Sequence, residues 1–151
     1  MGDLSPHFSR SEFACKCGCG MEAVDYKLIE NLEDCASHYE ALDSDCVRVA
    51  VHINSGNRCP AYDRNLKIKI AADKGVPYKP GGKPSEHLRG WATDFWMEYV
   101  YEPPRPRAKI PDDDIADYLE SRYIGRYGIG RYVGRTHHDT RTGPAARWDE
   151  R

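Results

Sequence analysis

The chain has 151 residues, 40% of them hydrophobic and 11% aromatic, which is enough for one domain with a single buried core and too little for two. Its 22 Lys and Arg against 24 Asp and Glu leave a formal charge of −2, so it carries no basic footprint for nucleic acid. No apolar run approaches the roughly 18 residues of a membrane-crossing helix, and no membrane span is expected.

Residues 1–22 read as an irregular, Cys-rich lead-in, because "SRSEFACKCGCG" has no helical period. Val24, Leu28, Ile29, Leu32, Cys35, Ala36 and Tyr39 then recur at helical spacing, which predicts a helix over 24–42. "VRVAVHIN" at 47–54 alternates, with Val47, Val49, Val51 and Ile53 on one face, and predicts a half-buried strand. Pro60 can open a second helix that stops at Gly75. The prolines and glycines of 76–87 mark a loop, and the aromatic alternation of "WATDFWMEYVY" at 91–101 a second strand. "PDDDIADYLESRYIG" at 111–125 opens with Pro and acids and closes on Gly, as a helix does. The tail, "YGIGRYVGRTHHDTRTG", reads as two short strands joined by a turn. The sum is an α+β chain, residues 1–151 as one domain, with a small antiparallel sheet flanked by helices.

Two fragments carry chemistry. "SEHLRGWATD" at 85–94 places His87 and Asp94 seven apart. A continuous strand would send them to opposite faces, because seven is odd, so a turn near Gly90 must reset the register. A zinc ion takes three or four N, S or O ligands in a tetrahedron at about 2.0–2.3 Å, and a catalytic site leaves one position open. The third ligand is sought in "THHDT", where strand alternation lets only one of His137 and His138 face the ion. If His137 does, Asp139 points the same way and His138 points away. The bland alternative is that these are scattered surface or core residues.

The six cysteines, at 15, 17, 19, 35, 46 and 59, leave several readings open. "CKCGCG" can be half of a structural zinc site completed by Cys59 or Cys35. Buried thiols, or a disulfide to Cys59, fit as well. His7, His38 and His52 read as structural. Trp91, Trp96 and Trp148 can line a cleft, with at least one expected in the core.

"SEHLRGWATD" matches Ser-x-His-x-x-Gly-x-Ala-x-Asp at all five fixed positions, Ser85, His87, Gly90, Ala92 and Asp94. In this it resembles the zinc-dependent peptidoglycan peptidases of the D-Ala-D-Ala carboxypeptidase type, the M15 peptidases, whose fold is shared with hedgehog signalling domains. "HHDTR" is similar to that family's His-x-Asp segment. "INSGNRCP" at 53–60 is similar to its Ser-Gly-Tyr-Arg segment, with Asn57 where a tyrosine is usual. "LSPHFSRSEFACKCGCG" resembles the lead-in of one subgroup. The resemblance runs from about residue 4 to 148.

It implies a hedgehog/DD-peptidase-like fold and one catalytic zinc ion held by His87, Asp94 and His137. Arg58 would bind a substrate carboxylate or polarise its carbonyl, since a guanidinium fork suits a carboxylate. Several relatives place a Glu or His shortly before the third ligand, where this chain has "GRYVGRT". The general base therefore falls to Asp139, which competes with a role in orienting a ligand histidine. Glu86, whose bland reading is an exposed loop acid, is the other candidate.

The implied activity is hydrolysis of an amide bond in the peptide stem or cross-bridge of bacterial peptidoglycan, by a monomer. Which bond is cut stays open between D-Ala-D-Ala carboxypeptidase, D,D-endopeptidase and L-Ala-D-Glu endopeptidase. "MGDLSPHFSR" lacks the charged-then-apolar shape of a secretory signal, so synthesis in the cytoplasm is expected, with phage-type release or a place on a virion. The alternative is a non-catalytic zinc-containing wall-binding or phage structural module.

Overall fold

The computed structural model describes residues 2–151 and is organised on one six-stranded sheet. Its strands are β1 Arg48–Ser55, β2 Ala92–Val100, β3 Ala108–Lys109, β4 Gly128–Tyr132, β5 Arg135–Asp139 and β6 Ala146–Asp149. The order across the sheet is β1-β2-β5-β4-β6, and the short β3 also pairs with β2. The α+β expectation holds, but the sheet is mixed rather than antiparallel, because β6 runs parallel to β4. The reason lies in the connection. The chain leaves β5 at Asp139, opposite Gly128, passes β4, and starts β6 at Ala146, again opposite Gly128. Skipping one strand of an antiparallel pair and returning from the same end makes the new strand parallel to the one skipped.

Three helices accompany the sheet: α1 Tyr26–Leu42, α2 Pro60–Asp73 and α3 Asp112–Arg122. α1 begins two residues later than the periodicity predicts, because Asp25 is extended and serves as its N-cap. Its buried stripe, Leu28, Ile29, Leu32, Cys35, Ala36 and Tyr39, packs in one core with Val49 and Val51 of β1 and Phe95 and Met97 of β2. α3 adds Ile115, Ala116 and Leu119 beside Ile129 of β4. These two helices therefore cover one face of the sheet. Val47 lies before β1 and is exposed.

The lead-in is more ordered than its composition predicts. Phe8 and Phe13 are fully buried in the same core. Arg10–Phe13 form a 3₁₀ turn closed by a capping box between Ser9 and Glu12. α2 differs from the other helices in burying only Asp63, so it lies at the surface and gives Ile70 and Lys74 to the rim of a cleft. No helix among the described residues is long and apolar enough to cross a membrane.

Alternation on the sheet decides what faces that cleft. Phe95 and Met97 of β2 turn into the core, so Asp94 turns to the opposite face. On β5, His138 turns to the α1 side, where Asn31 Nδ2 lies 2.9 Å from its Nε2. Its Nδ1 donates to the Gly128 carbonyl at 3.1 Å. His137 and Asp139 consequently turn to the face away from α1 and α3.

Candidate metal centre

Asp94 and His137 are directly opposed residues of the neighbouring strands β2 and β5. His87 arrives differently, on a 3₁₀ turn at Glu86–Arg89 that Ser85 caps through its hydroxyl. The chain leaves that turn through Gly90 at φ 70°, in the left-handed region. A Cβ on Gly90 would stand 2.2 Å from the Ala23 carbonyl oxygen, so both the backbone angle and the close approach require glycine. This turn resets the register between His87 and Asp94. One donor atom from each of His87, Asp94 and His137 lies within 4.8 Å of the others, and all three residues are buried. His87 Nε2 is 3.5 Å from Asp94 Oδ2, and His137 Nδ1 is 2.9 Å from Asp94 Oδ1. A tetrahedron with bonds of about 2.0–2.1 Å has edges of about 3.3 Å, and separations of this order, although to different oxygens of Asp94, leave the trio able to hold a metal ion.

The partners around the trio select which atoms face that point. His87 Nδ1 donates to the Gly56 carbonyl at 2.7 Å, which leaves Nε2 with its lone pair towards Asp94. Burial, above all, holds the His87 pKa down at about 4, so the ring is neutral near pH 7. His137 sits between two carboxylates, with Nε2 2.9 Å from Asp139 Oδ2 and Nδ1 facing Asp94. Burial disfavours its charge, but these two acids outweigh burial and raise its pKa. Burial likewise pushes the Asp94 carboxyl up, and His137, His87 and Arg58 outweigh it to hold Asp94 at about 2.

Asp139 is fully buried and its oxygens are taken. Oδ1 accepts from the Arg141 backbone N–H and from Nε, and Oδ2 accepts from Arg141 Nη2 at 2.6 Å as well as from His137. Burial opposes its charge, yet Arg141 and His137 hold it well below the usual carboxylate range. That arrangement suits the orienting role, since every lone pair that could receive a proton from water is engaged. Glu86 has the opposite character. It lines the cleft beside His87, and its Oε2 is buried without a hydrogen-bond partner.

Arg58 is fixed over the trio by three hydrogen bonds. Nε donates to Ser55 Oγ at 3.0 Å, Nη1 to Asp63 Oδ1 at 3.3 Å and Nη2 to Asp94 Oδ2 at 3.1 Å. Its backbone N–H also donates to the His87 carbonyl at 3.0 Å. The cleft measures about 550 Å³, and Lys74, Lys83, Arg135 and Arg141 join Arg58 along it, against the carboxylates of Glu86, Asp94, Asp139 and Glu150.

Two parts of the site have no counterpart in the sequence reading. The Gly56 carbonyl and the Arg141 clamp leave no pattern of their own, although Arg141 sits inside the quoted "HHDTR". Trp148 lines the cleft, as the sequence allowed, but from the unexpected strand β6; it places its ring 4.9 Å from the ring of His137 and donates to the Tyr132 hydroxyl at 2.8 Å. None of the three tryptophans is in the core, contrary to expectation. Trp96 stacks on His52 at 4.0 Å, and Arg89 covers Trp91 at 4.9 Å. Their size and indole N–H suit half-buried positions. His7 bridges Glu33 and Glu40, and His38 stacks on Tyr118 at 4.1 Å.

No family model, curated protein or solved structure matches this chain.

Proposed function

We propose that this chain is a zinc-dependent peptidoglycan peptidase with a hedgehog/DD-peptidase-like fold, cutting an amide bond in the stem peptide or cross-bridge of a bacterial wall. The observation that carries the reading is the convergence of His87, Asp94 and His137 on the wall of an open cleft with Arg58 beside them. The lysin-type setting of a phage or prophage follows from the sequence resemblance.

A zinc ion held by His87 Nε2, Asp94 and His137 Nδ1 supplies Lewis-acid polarisation of a carbonyl and acidifies water near pH 7. Asp139 keeps the Nε2 proton of His137, so that Nδ1 stays directed at the site. Gly56 does the same for His87 through its carbonyl. Arg58 has one N–H left on each terminal nitrogen after its hydrogen bonds, and these orient a substrate carboxylate or carbonyl oxygen. Lys74, Lys83 and Arg135 hold further carboxylates of the peptide along the cleft. Glu86, which lines the cleft next to His87, takes the proton from the attacking water through its carboxylate and returns it to the leaving amine. Trp148 closes one side of the site against bulk water.

The test is incubation of the zinc-loaded protein with purified peptidoglycan, followed by titration of new amines and mass spectrometry of the muropeptides. New amino groups at one bond type are expected, and the masses identify the bond. Zinc-loaded protein that releases no amine from walls of differing cross-bridge chemistry overturns the peptidase reading and leaves the non-catalytic wall-binding module.

A further inference from the structure

The lead-in holds a cluster that the cleft does not use. Cys15, Cys17, Cys19 and Cys59 each bring a sulfur within 4.8 Å of the other three. Cys15 Sγ is 3.4 Å from Cys17 Sγ, which is 3.6 Å from Cys59 Sγ. A tetrahedron of thiolates at about 2.3 Å from an ion has edges of about 3.8 Å. A disulfide needs about 2.05 Å, and all four of these cysteines are free. We propose that Cys15, Cys17, Cys19 and Cys59 form a second, structural metal site that takes a zinc-type divalent ion in all-thiolate coordination and staples the lead-in to the loop carrying Gly56 and Arg58.

The local backbone explains how so tight a spacing works. In an extended chain, cysteines two apart would point the same way with about 6.6 Å between them. Here the Gly18 N–H donates to the Cys15 carbonyl at 3.2 Å, and Gly18 at φ 79° turns the chain back. The Cys15 N–H donates to the Met21 carbonyl at 2.7 Å and closes the loop. Three alternate residues thus face one point rather than a line.

The fourth sulfur comes from the other side of the junction. Cys59 is the N-cap of α2, where its Sγ accepts from the Tyr62 N–H at 3.4 Å. The Cys59 N–H in turn donates to Cys15 Sγ at 3.3 Å. Binding releases the thiol protons and changes no oxidation state.

The staple has a clear mechanical consequence. The Asn57 N–H donates to the Phe13 carbonyl at 2.8 Å, which sews the same loop to the lead-in two residues before Cys59. Gly56, the residue before Asn57, holds His87. A metal at the four cysteines therefore fixes the segment that orients one imidazole and the cleft arginine. This site stands on the sulfur geometry alone and does not need the peptidase reading.

The experiment is substitution with cobalt(II) in the full chain under reducing conditions. A thiolate-to-cobalt charge-transfer band in the near ultraviolet is expected, and it should survive in His87→Ala, whose ligand set has no sulfur. It should vanish in Cys17→Ser/Cys19→Ser and persist in Cys46→Ser. In zinc-loaded wild type, the exposed Cys17 and Cys19 should resist iodoacetamide and react after chelation, a readout that requires no variant to fold. Absence of the band in wild type, free alkylation of the zinc-loaded protein, or a Cys15–Cys59 disulfide found by peptide mapping overturns the proposal. Loss of wall hydrolysis with the band intact would instead bear on the cleft.

Discussion

The two donor clusters of this chain are built in opposite ways. His87, Asp94 and His137 are buried, two of them on paired strands, and carbonyl or carboxylate partners fix the orientation of both rings. They open onto the cleft beside Arg58. The cysteine cluster has two exposed members, sits on a glycine turn, and joins two segments 40 or more residues apart without opening onto that cleft. Rigid walls, fixed tautomers and an open side suit a site that does chemistry. Four like sulfurs that meet only when distant loops meet suit a site that holds a fold together. On the two proposals made above, mixed and uniform donor sets divide the labour.

The sharpest way to break this contrast is ligand removal. His87→Ala and Asp94→Ala should each lose the ion of the cleft and reduce wall hydrolysis to background, while the melting temperature keeps its contribution from the cysteine site. Metal analysis beside amine release checks this, and full activity in either variant removes that residue from the centre. Next in size, Glu86→Gln should keep stoichiometric zinc and lose about 10²–10⁴-fold in kcat, as expected for a group that carries the proton. Near-normal turnover would remove Glu86 from the proton path. Asp139→Asn should weaken the cleft's zinc affinity about 10–100-fold, measured by chelator competition, because His137 loses the partner that fixes its proton. Unchanged affinity would reduce Asp139 to a fold element.

The smallest effect concerns the face turned away from the cleft. Burial, first of all, holds His138 neutral with a pKa of about 4 against an ordinary 6.5. A histidine depressed in the folded state contributes stability that is present above pH 6.5 and is lost as pH falls towards 4, since the unfolded chain takes the proton first. His138→Met should flatten thermal stability across that window, read by melting curves at several pH values. An unchanged pH slope would place the acid sensitivity in other groups.

Much of the frame was legible because local chemistry wrote it. The i, i+3, i+4 stripe of α1, the alternation of β1 and β2, Pro60 at the start of α2 and the acids at the start of α3 are signals within single segments. The same holds for the alternation that separates His137 from His138, now seen as one ring in the cleft and one on Asn31. β6 escaped because "ARWD" is too short to show a period, and its partner strand is set by a crossover rather than by its own residues. The 3₁₀ turn at 10–13 was written in "SRSE", a capping box, but lay inside a stretch dominated by Ser, Gly and Cys. Asp139 stood out as a base by its side of the strand. Only the position of Arg141, two residues on, shows its lone pairs already taken.

By itself the sequence determined which residue types were available for coordination, which of them share a strand face, and where glycine permits the chain to turn. These depend on periodicity and backbone sterics, which act over a few residues. Tertiary structure alone decided that Asp94 stands opposite His137, that Gly56 orients His87, and that Cys59 meets a loop 40 residues earlier. Such contacts depend on sheet register and on how the lead-in packs against the core, and no short stretch of sequence contains either.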